Sequence, residues 1–479
     1  MAGVASAPRV RVSEIRLYER EVRLRMPFRY GVVTLTRAPQ VFVRMRLSLE
    51  NARGGWGMAA ELLAPKWFDK NMALTDEENF EQLRTSLRLA CTVYRQDQRP
   101  RTAWRLFAEN YQAQVALCAE RGLNPLIAGF GPALLDRAVL DALCRLHGVS
   151  FYEAVRANLP GIRPADLVPE LAGFGVDGFL AELRPGDSIH ARHTVGLVDP
   201  ITSADRAETA RVGDGLPETL EEVIAVYGHA YFKLKVSGAV GTGVARLSEI
   251  AAVLDRSLQP YYVTLDGNEQ YTDAEGVREL WERIAETPGL RRLVRSILFV
   301  EQPIHRERAL DEDVSRLSAR RPVIIDESDA DLDAFPRARA CSYRGVSSKA
   351  CKGVYRSLIN AARCALWNRA EGRPVYFMSA EDLTTQAGVS VQQDLALASL
   401  IGVEHVERNG HHYVNGMAGL PESEQKAFLA AHPDLYRDDG GVVRLAIEKG
   451  RLAIGSLACA GFAAGAEPEW AAMRELPAA

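Results

Sequence analysis

Between His190 and Val406 the chain alternates short β-rich runs with helical ones at a regular beat, and few folds accommodate such a text. The candidate strands are His190 to Leu197, Tyr231 to Val236, Tyr262 to Asp266, Ile297 to Gln302, Val323 to Glu327, Gly345 to Lys349, Val375 to Ser379 and Val403 to Val406. Helical patterns such as Gly243 to Leu258, Asp273 to Glu286, Tyr355 to Ala370 and Val391 to Leu400 lie between them. Strands separated by helices of roughly 10 to 15 residues make βαβ units and a parallel sheet. Eight such strands suit a closed barrel better than an open sheet, and in such a barrel chemistry gathers at the C-terminal strand ends.

The text before the barrel has another character. Val10 to Leu49 alternates as strands do, around a turn-like Pro27-Phe28-Arg29-Tyr30-Gly31, and Thr75 to Arg145 repeats apolar residues at helical spacing. A stretch rich in Pro, Gly and Asp, roughly 159 to 214, breaks this periodicity. The division expected is an α+β domain over 1–160, an irregular insertion or linker over 161–189, the barrel over 190–407 and a C-terminal segment over 408–479.

Composition narrows the class. Hydrophobic residues make up 47% and charged ones 25%, the mix of a globular protein with a sizeable core. The net charge of -4 comes without a long run of one sign, so neither nucleic acid nor a polybasic membrane contact is expected. The longest uncharged stretch, around Leu452 to Ala466, falls short of the ~20 residues of a membrane span, and Met1 to Glu14 lacks a secretory apolar core. Seven scattered cysteines with no Cys-x-x-Cys pair argue against a disulfide framework and a zinc site, and point to a reducing, cytoplasmic setting.

Several strand ends carry ionisable residues where a buried strand is ordinarily apolar. The second ends Phe232-Lys233-Leu234-Lys235, with both ammonium groups on one face. Like charges at this spacing lower each other's proton affinity, which is how a lysine becomes a general base near neutral pH. Asp266, Glu301 and Asp326 end the next three strands, so three carboxylates stand at one level. Such a group needs a cation, and hard oxygen donors point to Mg²⁺ or Mn²⁺. The sixth strand ends Ser348-Lys349-Ala350-Cys351-Lys352, returning a lysine on the opposite side.

This order of Lys-x-Lys, Asp, Glu, Asp and Lys resembles the enolase superfamily, and within it the muconate-lactonizing-enzyme-like subgroup of the mandelate racemase/muconate lactonizing enzyme family. The spacings of 35, 25 and 23 residues between Asp266, Glu301, Asp326 and Lys349 are each one βα unit. The likeness extends more loosely to Phe28-Arg29-Tyr30-Gly31, similar to a capping-domain loop, and to Ala133-Leu134-Leu135-Asp136, similar to that domain's last helix. It implies a modified TIM-type (β/α)7β barrel with an α+β N-terminal capping domain completed by C-terminal residues. It also implies Mg²⁺ on Asp266, Glu301 and Asp326, Lys235 as base on one face, Lys349 as acid or base on the other, and Lys233 tuning Lys235 and helping to neutralise a substrate carboxylate. Met378-Ser379-Ala380-Glu381-Asp382 has no histidine where the mandelate-racemase subgroup wants one. Dipeptide epimerases of the subgroup have Asp-x-Asp at the eighth strand, whereas here the text is Glu404-His405-Val406-Glu407-Arg408-Asn409, so a dipeptide substrate does not carry over.

Ordinary readings stand beside these. Lys233 and Lys235 could line a solvated edge, Asp326-Glu327 could cap a helix, and Glu301-Gln302-Pro303 could be a plain strand exit. Their joint occurrence, one per consecutive βα unit, favours a site. Strand alternation points Glu327 away from it. Asn268, Glu381, Asp382, Tyr30 and Lys352 are the further candidates for supporting the site or touching substrate. His190 and His193 should leave their strand on opposite faces, so at most one sees the site. His411 and His412 could meet substrate or form a surface turn, and Gly238 to Gly243 reads as a flexible turn. The expectation is a Mg²⁺-dependent racemase or epimerase acting on a small carboxylate, in a homo-oligomer. A cycloisomerase, an o-succinylbenzoate-forming dehydratase and a catalytically silent binding barrel are the alternatives, and no convincing nicotinamide or flavin fingerprint is present.

Overall fold

The computed structural model describes residues 7–30, 33–96, 98–205, 210–258 and 260–478. Gly31 and residues 1–6, on which parts of the sequence reading fall, lie outside them. The first three strands, β1 (Val10–Tyr30), β2 (Val33–Leu49) and β3 (Gly54–Leu62), form an antiparallel sheet. A C-terminal strand, Arg474–Leu476, pairs with the other edge of β1 through Leu17↔Leu476 and Glu19↔Arg474. Helices α1 (Asp76–Gln96), α2 (Ala103–Ala119) and α3 (Pro125–His147) follow. Asn124 caps α3 by accepting from the Ile127 amide, and Gly148 ends it in the left-handed conformation. Helix α3 runs so close to β3 that a Cβ on Gly57 would stand 2.2 Å from the Ala138 carbonyl oxygen.

The segment read as a turn at Pro27 to Gly31 is instead strand as far as Tyr30, paired as Phe28↔Leu35 and Tyr30↔Val33. The pairing slips between Arg23 and Phe28, and this irregularity accommodates Pro27, which has no N–H for the ladder. Residues 161–189 carry two 3₁₀ turns and the helix Val176–Glu182, joined by irregular chain.

Eight parallel strands then close a barrel: β4 (Ser188–Val195), β5 (Tyr231–Lys235), β6 (Tyr262–Asp266), β7 (Ile297–Glu301), β8 (Val323–Ile325), β9 (Gly345–Ser348), β10 (Phe377–Ala380) and β11 (His405–Arg408). Closure is between β11 and β4, with His405↔His190 through Arg408↔His193 in register. Each strand lies within two residues of its sequence expectation, because short apolar runs flanked by helix caps leave little freedom. Thr219 with Glu222 makes a capping box, and Asp273 caps the helix Ala274–Glu286. The antiparallel pair Ile447–Glu448 and Arg451–Ala453 adds to the start of β4. Among the described residues no helix is long and apolar enough to cross a membrane, and the seven cysteines are free thiols.

A candidate active site at the barrel mouth

Register places the charged strand ends at one level. Lys235 stands opposite Asp266, and Asp266 opposite Glu301, so the side chains that alternate inward meet over the barrel axis. Lys235 Nζ donates to Asp266 Oδ2 at 2.5 Å. Lys349, just past β9, pairs with Asp326. Both lysines, Asp266 and Asp326 line one pocket of about 400 Å³, its open mouth included. The capping sheet and the loop after β3 form its other wall with Phe28, Tyr30, Leu35, Ala64 and Trp67.

Lys233 lies deeper. Its ammonium is within 2.8 Å of Glu301, 2.9 Å of Asp266, and 3.0 Å of both Glu381 and Glu407. Burial alone would weaken its hold on the proton, but these four carboxylates more than reverse that and hold it well above the ordinary lysine range. The sequence-based idea that Lys233 and Lys235 mainly depress each other is therefore corrected for Lys233: the surrounding anions outweigh one neighbouring cation. Lys349 is likewise pushed upward, because Asp326 outweighs the effect of burial.

The carboxylates respond in kind. Burial works to raise Asp266, and Lys233 and Lys235 bring it below its usual range; Asp326 is lowered in the same way by Lys349, Lys352 and Lys233. Glu301 goes the other way, raised by burial and by Asp266, Glu381 and Asp326 around it. One of its oxygens, Oε2, is buried without a hydrogen-bond partner. An excess of acceptors at three aligned strand ends, with hard oxygen donors and an orphaned carboxylate oxygen, fits a divalent cation of the Mg²⁺ kind.

The supporting candidates divide. Asn268 lines the pocket, its backbone N–H donates to Asp266 Oδ1 at 2.8 Å, and its side-chain Oδ1 is buried and unpartnered. Tyr30 lines the pocket with its hydroxyl donating to the Pro65 carbonyl at 2.7 Å. Asp382 lines it too, accepting from the Asn409 amide at 2.7 Å, and is pushed up to about 6 by burial against the pull of Arg408. Glu381 turns below the pocket, between Lys233 and Arg192, and does not reach its wall. Lys352 sits behind Asp326, donating to its carbonyl at 2.8 Å and lying 3.1 Å from Oδ1. Glu327 turns away from the pocket and is fully buried.

The histidines are elsewhere. His190 contacts Arg451 at 2.8 Å, His193 faces outward from β4, and neither lines the pocket. His411 and His412 are buried in the short helix Gly410–Tyr413, which corrects the surface-turn reading; His411 lies against the Tyr227 ring and His412 against His193 and Tyr413. The Gly238 region is a tightly packed turn, since a Cβ on Gly238 would stand 2.6 Å from the Gln270 carbonyl oxygen.

Sequence reasoning missed Glu407, Asn409, Arg192 and Trp67. Glu407 and Asn409 both line the pocket, and Glu407 also accepts from Thr194 at 2.6 Å. Their Glu-x-Asn spacing at the eighth strand end was the available signal. Arg192 lies below the pocket, paired with Glu381, and its Nη1 is 2.7 Å from His405 Nδ1. Trp67 comes from a loop without periodicity, which offers no comparable cue.

No protein-family model and no curated protein matches the sequence. Solved structures do match in fold, and they are members of the enolase superfamily. A member of that superfamily of unknown function from Enterococcus faecalis superposes with a TM-score of 0.56 at 15% identity, covering 98% of this chain and all of the other. A dipeptide epimerase from the same species, complexed with Mg and L-Leu-L-Tyr, gives 0.59 at 13% identity over 95% and 99% of the two chains. A 2-chloromuconate cycloisomerase from Rhodococcus opacus gives 0.56 at 13% over 96% and 97%. The chain thus has the fold of this superfamily, a capping domain on a closed parallel barrel.

Proposed function

We propose that the protein is a Mg²⁺-dependent enzyme that removes the proton α to a carboxylate through an enolate and returns it, as a racemase or epimerase does. The observation that carries this reading is the entry of Lys235 and Lys349 into one pocket from opposite sides of a carboxylate-lined mouth. A divalent cation held by Asp266, Glu301 and Asp326 would supply positive charge to the substrate carboxylate and so stabilise the charge that develops on proton loss. Lys235 Nζ takes the α-proton from one face, and Lys349 Nζ delivers one to the other. Lys233, fixed by Glu301, Glu381 and Glu407, stays charged beneath them and offsets part of the negative charge that those carboxylates place under the substrate. Phe28, Leu35 and Trp67 exclude water above, so the geometry favours a carboxylate with an apolar group on its α-carbon.

The test is proton NMR of the Mg²⁺-loaded protein in D₂O with N-acyl amino acids, dipeptides, hydroxy acids and lactones. Loss of an α-proton signal that requires the metal and disappears in Lys235→Ala supports the reading. Exchange that persists unchanged in Lys235→Ala would remove it.

A further inference from the structure

Four of the nine histidines meet on the outer side of the barrel wall, away from the lysines. His193 leaves β4 on the face opposite Arg192 and Thr194, whose side chains reach Glu381 and Glu407 inside. His229 precedes β5, and His411 lies in the short helix after β11. The ring centres of His193, His229 and His411 form a nearly equilateral triangle with sides of 5.4, 5.5 and 5.3 Å. Imidazoles bound about 2.0–2.1 Å from one tetrahedral ion have ring centres roughly 5.2 Å apart. One nitrogen from each of the three already lies within 4.8 Å of the others, so rotation of the rings with a small inward shift brings them onto a common ion.

The hydrogen bonding agrees. His193 Nδ1, His229 Nε2 and both ring nitrogens of His411 are buried with no partner among the described residues. Buried polar atoms are ordinarily satisfied, and three clustered imidazoles that each carry an orphaned nitrogen call for a ligand. His229 Nδ1 lies 2.9 Å from the Ala191 carbonyl, which fixes the proton there and leaves the Nε2 lone pair free. That backbone contact is the usual support of a metal-binding histidine. Burial keeps all three rings neutral, with His229 brought down to about 4.

We propose that His193, His229 and His411 form a second metal site, separate from the carboxylates, for a borderline divalent ion of the Zn²⁺ class. Three nitrogen donors select such an ion over Mg²⁺, which prefers oxygen. The fourth ligand is water or a small anion, admitted through a pocket beside His411 that Tyr227, Arg437 and Arg444 also line. The role is structural. β4 pairs with both β5 and β11, and the three histidines come from β4, the approach to β5 and the helix after β11, so an ion here fastens the seam where the barrel closes.

The test uses the full chain, stripped with a chelator and reloaded with Zn²⁺ in excess Mg²⁺, which occupies oxygen sites. Retention of one zinc per chain after desalting, a higher melting temperature, and an anomalous-scattering peak between the three imidazoles are expected. His229→Gln and His411→Asn should reduce retained zinc by about tenfold or more. If those variants unfold, the anomalous map of the unaltered protein decides alone. No retained zinc, or a peak only at Asp266, Glu301 and Asp326, overturns the proposal.

Discussion

The ammonium group of Lys349 lies 4.5 Å from the centre of the Trp67 ring, so a residue of the capping segment steadies a lysine of the barrel. A desolvated cation–π contact of this kind contributes about 0.5–2 kcal/mol, or roughly 2- to 30-fold in a rate that depends on it. Trp67→Leu should lower turnover by about tenfold, and Trp67→Phe should keep most of it, measured at saturating Mg²⁺. Equal losses in the two variants would mean that Trp67 acts through shape alone.

Lys349→Ala separates the two faces of the proposed reaction. One enantiomer of a substrate should still exchange its α-proton with D₂O, while the other loses exchange by roughly 10²- to 10⁴-fold and interconversion stops. Full turnover in this variant would eliminate the two-lysine mechanism.

Beneath the pocket, Arg192 and Glu381 form a buried ion pair with both side chains fully enclosed. Removing Arg192 leaves the buried Glu381 held by Lys233 in place of two cations, and breaking a buried pair costs up to about 3–5 kcal/mol. Arg192→Met should therefore shift a urea unfolding curve by that order. Adding Glu381→Gln to it should recover part of the loss, since the less compensated charge is gone.

Asp136 in α3 accepts from the Tyr94 hydroxyl at 2.7 Å and is raised to about 8 by burial. The folded protein thus holds this proton more tightly than the unfolded chain. The stabilisation is complete below the ordinary carboxyl range, near pH 4, and fades as pH rises toward 8. Asp136→Asn, which can still accept from Tyr94, should flatten that part of the stability profile between pH 4 and 8, as read from melting temperatures. An unchanged slope would assign the pH dependence to other groups.

The barrel and its charged rim were legible because both repeat: from the third to the sixth strand each βα unit ends in an ionisable residue, and the intervals between Asp266, Glu301, Asp326 and Lys349 are those of single units. What did not repeat was hidden. Trp67 reaches the pocket from a loop whose place is set by Arg306, which donates to the Trp67 carbonyl at 2.8 Å across 239 residues of sequence. His193, His229 and His411 are similarly dispersed, and only closure of β11 onto β4 brings the last of them beside the first. Local pattern also misplaced Pro27, because proline reads as a turn wherever the partner strand that tolerates it is unseen.

The pairing of Arg474–Leu476 with β1 gives the protein a built-in order of assembly. During synthesis β1 emerges long before Arg474–Leu476, and that edge of it waits until residues more than four hundred positions later have been made. That exposed edge is a place where nascent chains can join one another. The charged side chains along it, including Arg16 and Arg20, guard the growing chain while it waits.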